Sequence, residues 1–228
     1  MSCVSVQEGY ARWAPSYDLG PNPLLALEER HLSPMLATVA GARVLDLGCG
    51  TGRWSTWLIQ VGAGLVVGLD FSRAMVGEAN KKRDLRGRLV LADGLDLPFR
   101  NASFDIVMCS FVLGHVRDLE LIVREIGRVT VANGRVYATD LHPDASARGW
   151  KTAARDRDGA WEITTWPRSS EQQLAAWCAA GFHCAVSTTA RIGEPERPIL
   201  DQAGKAPGFE EIRQVPAVQI FCFKRNAK

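Results

Sequence analysis

Between residues 44 and 140, short apolar runs alternate with stretches of helical spacing, and this alternation constrains the fold more than any other feature. Val44-Leu45-Asp46-Leu47 runs into a glycine-rich turn, and Trp54 to Val61 follows with helical spacing. Leu65 to Asp70 reads as a second strand, and Ser72 is placed to cap the next helix. Leu89-Val90-Leu91 and Phe104 to Cys109 read as the third and fourth strands. The helix that follows carries Leu119, Ile122, Val123 and Ile126 on one face, and Arg135 to Asp140 reads as the fifth strand after the turn Asn133-Gly134. Strands separated by helices imply βαβ units, hence an α/β, doubly wound parallel sheet covered on both faces. The last third breaks the rhythm. A helix from Ser170 ends at Gly181, and His183 to Thr189 and Ala217 to Lys224 read as strands with no convincing helix between them. The expected sheet therefore has seven strands, mostly parallel, with the last strand antiparallel.

The chemistry concentrates at Asp46-Leu47-Gly48-Cys49-Gly50-Thr51-Gly52, after a strand and before a helix. Glycines let the chain turn tightly and let a ligand approach the backbone, while the helix start offers free N–H groups. The dinucleotide spacing GxGxxG fails, because its last position falls on Arg53. A phosphate-binding loop fails as well, since no Gly-Lys-Ser/Thr follows. Asp70 stands 20 residues after Gly50, at a strand end where a carboxylate can accept from both hydroxyls of a ribose. Asp93-Gly94-Leu95 follows the third strand. In a doubly wound sheet these turns share one carboxyl edge, so one nucleoside-like ligand can touch all of them.

Composition narrows the partners. Lys+Arg is 27 and Asp+Glu 25, a net charge of +2 without a basic stripe, which argues against nucleic acid. The six cysteines form no CxxC pair, so no zinc is expected, and scattered thiols in apolar runs suit a reducing cytoplasm. Residues 1–10 show no signal-peptide pattern, and no apolar run reaches the roughly 20 residues needed to span a bilayer. The expected location is cytoplasmic, with no membrane insertion.

Taken together, Val44 to Gly52, Gly68 to Ser72, Ala92 to Phe99 and Ser103 to Val116 resemble successive motifs of class I S-adenosylmethionine-dependent methyltransferases. The likeness is to the small-molecule branch containing the ubiquinone and menaquinone methyltransferases, whose opening motif is similar to Tyr10-Ala11-Arg12-Trp13-Ala14-Pro15-Ser16-Tyr17-Asp18. It covers about residues 10–140. The resemblance implies a Rossmann-like fold, S-adenosyl-L-methionine as cofactor and methyl transfer to a small-molecule acceptor. It also implies roles. Asp46 and the backbone of Gly48 and Gly50 hold the methionine portion. Asp70 holds the ribose, and Phe71 flanks the adenine. Asp93 accepts from the adenine amino group, with Gly94 and Leu95 beside it. Ser110 lies by the cofactor's amino group, and Tyr10 and Tyr17 belong to a lid. Gly114 departs from the acidic residue often found before this motif's histidine.

A single domain over 1–228 is expected, with an N-terminal helical lid over 1–40 and substrate-cap segments at 141–169 and 190–216. The base candidates are His142, directly after the fifth strand, and His115. Trp150, Trp161 and Trp166 either pack a cap or wall an apolar acceptor site. Two rival readings use the same pocket without methyl transfer: a cofactor-binding sensor or scaffold, and a cyclising enzyme.

Overall fold

The computed structural model describes residues 2–227; Met1 and Lys228, the ends of the expected domain, lie outside them. The chain begins with β1 (Ser2–Val4), α1 (Val6–Trp13) and α2 (Pro23–Leu32). The alternation then proceeds as β2 (Arg43–Leu47), α3 (Arg53–Gln60), β3 (Leu65–Asp70), α4 (Arg73–Ala79), β4 (Leu89–Leu91), β5 (Phe104–Ser110), α5 (Leu119–Val129) and β6 (Thr130–Leu141). Ser72 caps α4 by accepting from the Met75 N–H, and Asp118 caps α5 through Leu121. After α6 (Pro143–Ala147) come β7 (Ala153–Asp156), β8 (Gly159–Ile163), α7 (Ser170–Ala179), β9 (Phe182–Ala190), α8 (Arg197–Gln202), α9 (Phe209–Ile212) and β10 (Val218–Arg225).

The main sheet has seven strands in the order β4-β3-β2-β5-β6-β10-β9. All pairs from β4 to β6 are parallel, and β10 runs antiparallel to both β6 and β9. The expected α/β architecture is observed, with β9 outside the last strand. One face packs Leu27, Val44, Leu58, Met108 and Ile220; the other packs Leu45, Val107, Ile122, Ile126 and Phe221. Successive residues of a strand feed opposite cores, and both faces are covered as a parallel sheet requires.

Three expectations need correction. β6 begins at Thr130, not Arg135, because Asn133 takes a left-handed φ of 62° within a continuous strand and the register against β5 shifts there. Residues 141–169, in which the sequence shows no strand, hold β7 and β8 as a hairpin, with Gly159 at φ 130° closing its turn. The N-terminal segment is not purely helical, since β1 pairs in parallel with β8 and completes a three-stranded sheet, β1-β8-β7. Strands of three to five residues are too short to declare a period, so the sequence hides them. Segment 190–216 contains α8 and α9, each too short for its own amphipathic signature.

The small sheet and α1 form a cap. Trp161 is 1% exposed and packs with Ile163, Val4, Tyr10 and Trp13. The Arg12 guanidinium lies 4.0 Å from the Trp161 ring centroid and donates to Asp156 at 3.0 Å. The three tryptophans of the cap segment thus diverge: Trp161 is cap core, Trp150 packs on the main core, and Trp166 faces a cavity. Among the described residues, no helix is long and apolar enough to cross a membrane.

The turn after β2 depends on glycine at Gly52. Its φ is 83°, and a Cβ there would collide with Leu85 Cδ1. Gly52→Ala therefore combines backbone strain with overpacking, and we expect a loss of about 2–4 kcal/mol, read from urea unfolding.

Candidate active site

The turn between β2 and α3 is built as a cradle. Gly48 and Gly50 have φ of 68° and 55°, and the N–H groups of Gly48 and Cys49 both donate to the Leu69 carbonyl at the end of β3. A Cβ at Gly48 would strike Val112, whereas one at Gly50 would meet nothing within 4 Å. Gly50 therefore faces open space, the geometry a ligand lying on backbone requires. Asp70 closes the cradle: one oxygen accepts from the Gly50 N–H at 2.8 Å and the other from the Ser72 N–H at 2.8 Å. Burial raises the Asp70 carboxyl above its ordinary value, and those N–H donors oppose the shift. A carboxylate has about four acceptor positions, so Asp70 keeps acceptor capacity for a diol.

Asp46 sits beneath the cradle. It is 1% exposed and accepts from Ser55 Oγ of α3 at 2.6 Å, and burial pushes its carboxyl up to about 6. It braces the turn from below and has almost no surface with which to touch a ligand. Phe71 is 39% exposed on the same edge. Asp93 is exposed and accepts from the Leu95 N–H at 3.0 Å, shaping the turn after β4. Gly94 packs closely, since a Cβ there would stand 3.3 Å from both Ile122 and Leu47.

Ser110 is occupied differently from expectation. Its hydroxyl donates to Glu28 Oε1 at 2.7 Å and receives a weak contact from Arg53 at 3.4 Å. Glu28, fully buried on α2, also accepts from Arg53, Thr139 and Trp54 Nε1. Nothing in the spacing of α2 marks this residue beforehand; its importance arises only when α2 lands on the ends of β5 and β6. Arg53, whose presence broke the dinucleotide pattern, is the cation of this cluster.

Beside the cradle lies a cavity of about 240 Å³. Its walls include Trp13, Tyr17, Phe111, Trp166, His115 and Asp140. Tyr17 packs edge-on against Trp13, and burial pushes its hydroxyl up to about 12. The adjacent Asp18 accepts from Thr51 Oγ1 at 2.7 Å and from Lys82 Nζ at 3.0 Å, so the N-terminal segment is tied across the cradle. The roof is stitched to the segment after β5: Trp166 N–H donates to the Gly114 carbonyl, and Arg168 donates to the carbonyls of Leu113, Val116 and Arg117.

The two histidines have separate fates. His115 lines the cavity, with Nε2 2.9 Å from the Tyr10 hydroxyl and Nδ1 3.3 Å from the Thr164 carbonyl. A carbonyl only accepts, so Nδ1 carries the proton and Nε2 accepts from Tyr10. Burial lowers the His115 pKa and keeps the ring neutral. His142 does not line the cavity. Its Nδ1 accepts from the Asp144 N–H at 3.1 Å and caps α6, whose first residue is Pro143. The position that seemed aimed at the crevice is turned aside by the helix it starts.

The comparisons agree with this geometry. A sequence pattern described as a methyltransferase domain matches residues 45–157. The chain is 36% identical over 169 residues to a demethylmenaquinone methyltransferase of Clavibacter sepedonicus, covering 64% of this chain and 68% of that protein. It is 38% identical over 109 residues to a malonyl-[acyl-carrier protein] O-methyltransferase of Legionella pneumophila, covering 46% of this chain but 38% of that protein. A crystal structure of an S-adenosylmethionine-dependent methyltransferase from Mesorhizobium loti shares the fold, with TM-score 0.70, 24% identity, and coverage of 90% of this chain and all of that one. The chain belongs to the class I S-adenosylmethionine-dependent methyltransferases.

Two variants test the site's construction. Glu28→Ala leaves Arg53 and three other donors without their acceptor, and we expect about 3 kcal/mol of destabilisation in urea unfolding. Asp70→Asn removes the negative charge that the cradle presents, and we expect S-adenosylhomocysteine affinity to fall by about 1–3 kcal/mol in calorimetric titration.

Proposed function

We propose that the protein transfers a methyl group from S-adenosylmethionine to a small-molecule acceptor held in the cavity beneath the cap. The observation that carries this reading is the cradle itself: an open face at Gly50, closed by a nearly buried Asp70 with free acceptor positions, beside a roofed cavity. The family's cofactor fits these residues. Asp70 is positioned for the ribose hydroxyls, the exposed ring of Phe71 for one face of the adenine, and Asp93 for its amino group. Gly48 and Gly50 offer backbone to the methionine portion, with Asp46 bracing them through Ser55. Tyr17 closes the cavity side, and Ser110 contributes through the Glu28 cluster.

When bound, the cofactor supplies an electrophilic methyl on a positively charged sulfur whose departure needs no further activation. The protein's part is alignment and exclusion of water, and in such displacements much of the acceleration comes from geometry. Aromatic and aliphatic walls at Trp13, Phe111, Leu113 and Trp166 suit an acceptor with an apolar body. The name of one relative, a demethylmenaquinone methyltransferase, fits such an acceptor. A cavity of this volume, with no basic surface stripe, supports a small molecule over nucleic acid.

The reading is tested by incubating the protein with methyl-labelled S-adenosylmethionine and a metabolite extract. Label should appear in a small molecule, together with S-adenosylhomocysteine. Binding without any transfer would leave a sensor, and cofactor-dependent ring closure without transfer would leave a cyclase. Because His142 is a helix cap, His142→Gln should keep turnover within about threefold of the parent, far from the 10²–10⁴-fold typical of a lost base.

A further inference from the structure

The cavity holds one carboxylate among its described lining residues, and it is in an unusual place. Asp140, near the end of β6, points into the volume that a side chain at position 114 would occupy. A Cβ on Gly114 would stand 2.8 Å from Asp140 Oδ1 and 2.9 Å from Oδ2. The glycine that departs from the family's acidic residue is therefore the neighbour that makes room for Asp140. The carboxylate accepts from its own Leu141 N–H at 2.8 Å, and the nearby Gly114 N–H helps to stabilise its charge. No side chain is hydrogen-bonded to it.

The histidines and the cations near this wall are engaged elsewhere. Both ring nitrogens of His115 have partners, and His142 lies away from the cavity. Lys151 pairs with Glu162 at 2.6 Å, and the Arg168 guanidinium is committed to backbone carbonyls. Asp140 is the group with acceptor positions left over.

We propose that Asp140 is the catalytic residue that takes the proton from a hydroxyl acceptor bound in this cavity, a proposal resting on the methyl-transfer reading above. As the acceptor oxygen bonds to the methyl carbon, the carbon–sulfur pair stays on sulfur. The O–H bond breaks, its electron pair remains on oxygen, and the proton passes to an Asp140 oxygen. The product is a neutral ether, and Asp140 leaves as the carboxylic acid, to be deprotonated by water.

The surroundings suit this task. Burial pushes the Asp140 carboxyl up to about 6, close to the value a base needs at neutral pH. Arg168 from the roof opposes the shift, and Glu28 from α2 adds to it. Tyr10 from α1 and Cys109 from β5 also feel this carboxylate, and burial holds both protonated well into the alkaline range. His115, beside Gly114, has its pKa lowered by burial, with the Thr164 carbonyl opposing that shift. Turnover is expected to rise with pH through about 6 as Asp140 ionises; Asp46, raised into the same range beneath the cradle, does not line the cavity.

The test uses two phenols with methyl-labelled S-adenosylmethionine: 1-naphthol, which keeps its proton at neutral pH, and 4-nitrophenol, largely phenolate at mildly alkaline pH. Asp140→Asn should lower kcat on 1-naphthol about 100-fold or more. Its loss on ionised 4-nitrophenol should be within a few fold, and the rise through about pH 6 should vanish. S-adenosylhomocysteine affinity, measured by calorimetry, should stay within twofold, which separates the effect from misfolding. Equal losses on both phenols, or full turnover of Asp140→Asn on 1-naphthol, would overturn the proposal. Label transfer from the extract to amines or thiols alone, with neither phenol methylated, would overturn it too. Failure of all labelled transfer would instead remove the underlying methyl-transfer reading.

Discussion

The buried carboxylate of Glu28 is the interaction on which the rest of this structure depends. It reaches from α2 to side chains at the ends of β5 and β6 and at the start of α3. Those are the ends that hold Ser110, Thr139 and the glycine cradle. A charge at full burial is tolerable only with a cation and several donors, and here Arg53, Trp54, Ser110 and Thr139 supply them. The strength of the arrangement lies in specificity of placement. The docking of α2 on the sheet gives Glu28 all four donors, and it also carries the Tyr17–Asp18 segment over the cradle.

From this junction the two halves of the site diverge in character. The cradle is backbone on a parallel sheet, with glycine φ values and short N–H bonds to Asp70 and Leu69 fixing it. The cavity is side chain and loop, its walls drawn from α1, the segment after β5, the end of β6 and the roof. One surface is suited to a constant ligand. The other is assembled from segments that tolerate change, the usual location of acceptor specificity.

Much of the first half was legible in the sequence. The alternation to residue 140 marked every parallel strand of the main sheet, and Gly48, Gly50, Asp70 and Asp93 stand at the carboxyl edge because strand-to-helix turns of a doubly wound sheet all open there. The cavity was far less legible. β1 and β8 are too short to show a period, and they pair Ser2 with Trp161, far apart in the chain. Glu28 lies in a helix whose sequence reads as an ordinary charged surface, and its burial follows from tertiary docking alone. His142 misled for a definable reason: its place after a strand suggested the crevice, but Pro143 starts a helix and the imidazole caps it. Asp140, one strand position from the edge, had no signal except the missing side chain at Gly114.

The cap is composed of an N-terminal strand of three residues and a hairpin that follows β6. Its contacts are therefore among the most non-local in the molecule, while the cradle's neighbours β2, β3 and β4 are close in sequence. Non-local pairings carry the larger loop-closure cost and form late. They also open first, because few buried residues hold them, here Ala154, Trp161 and Ile163. The cap is therefore expected to loosen under mild denaturation before the sheet that carries the glycine cradle. The same order, in native-state opening, would let the cavity exchange its contents with solvent while the sheet beneath stays folded.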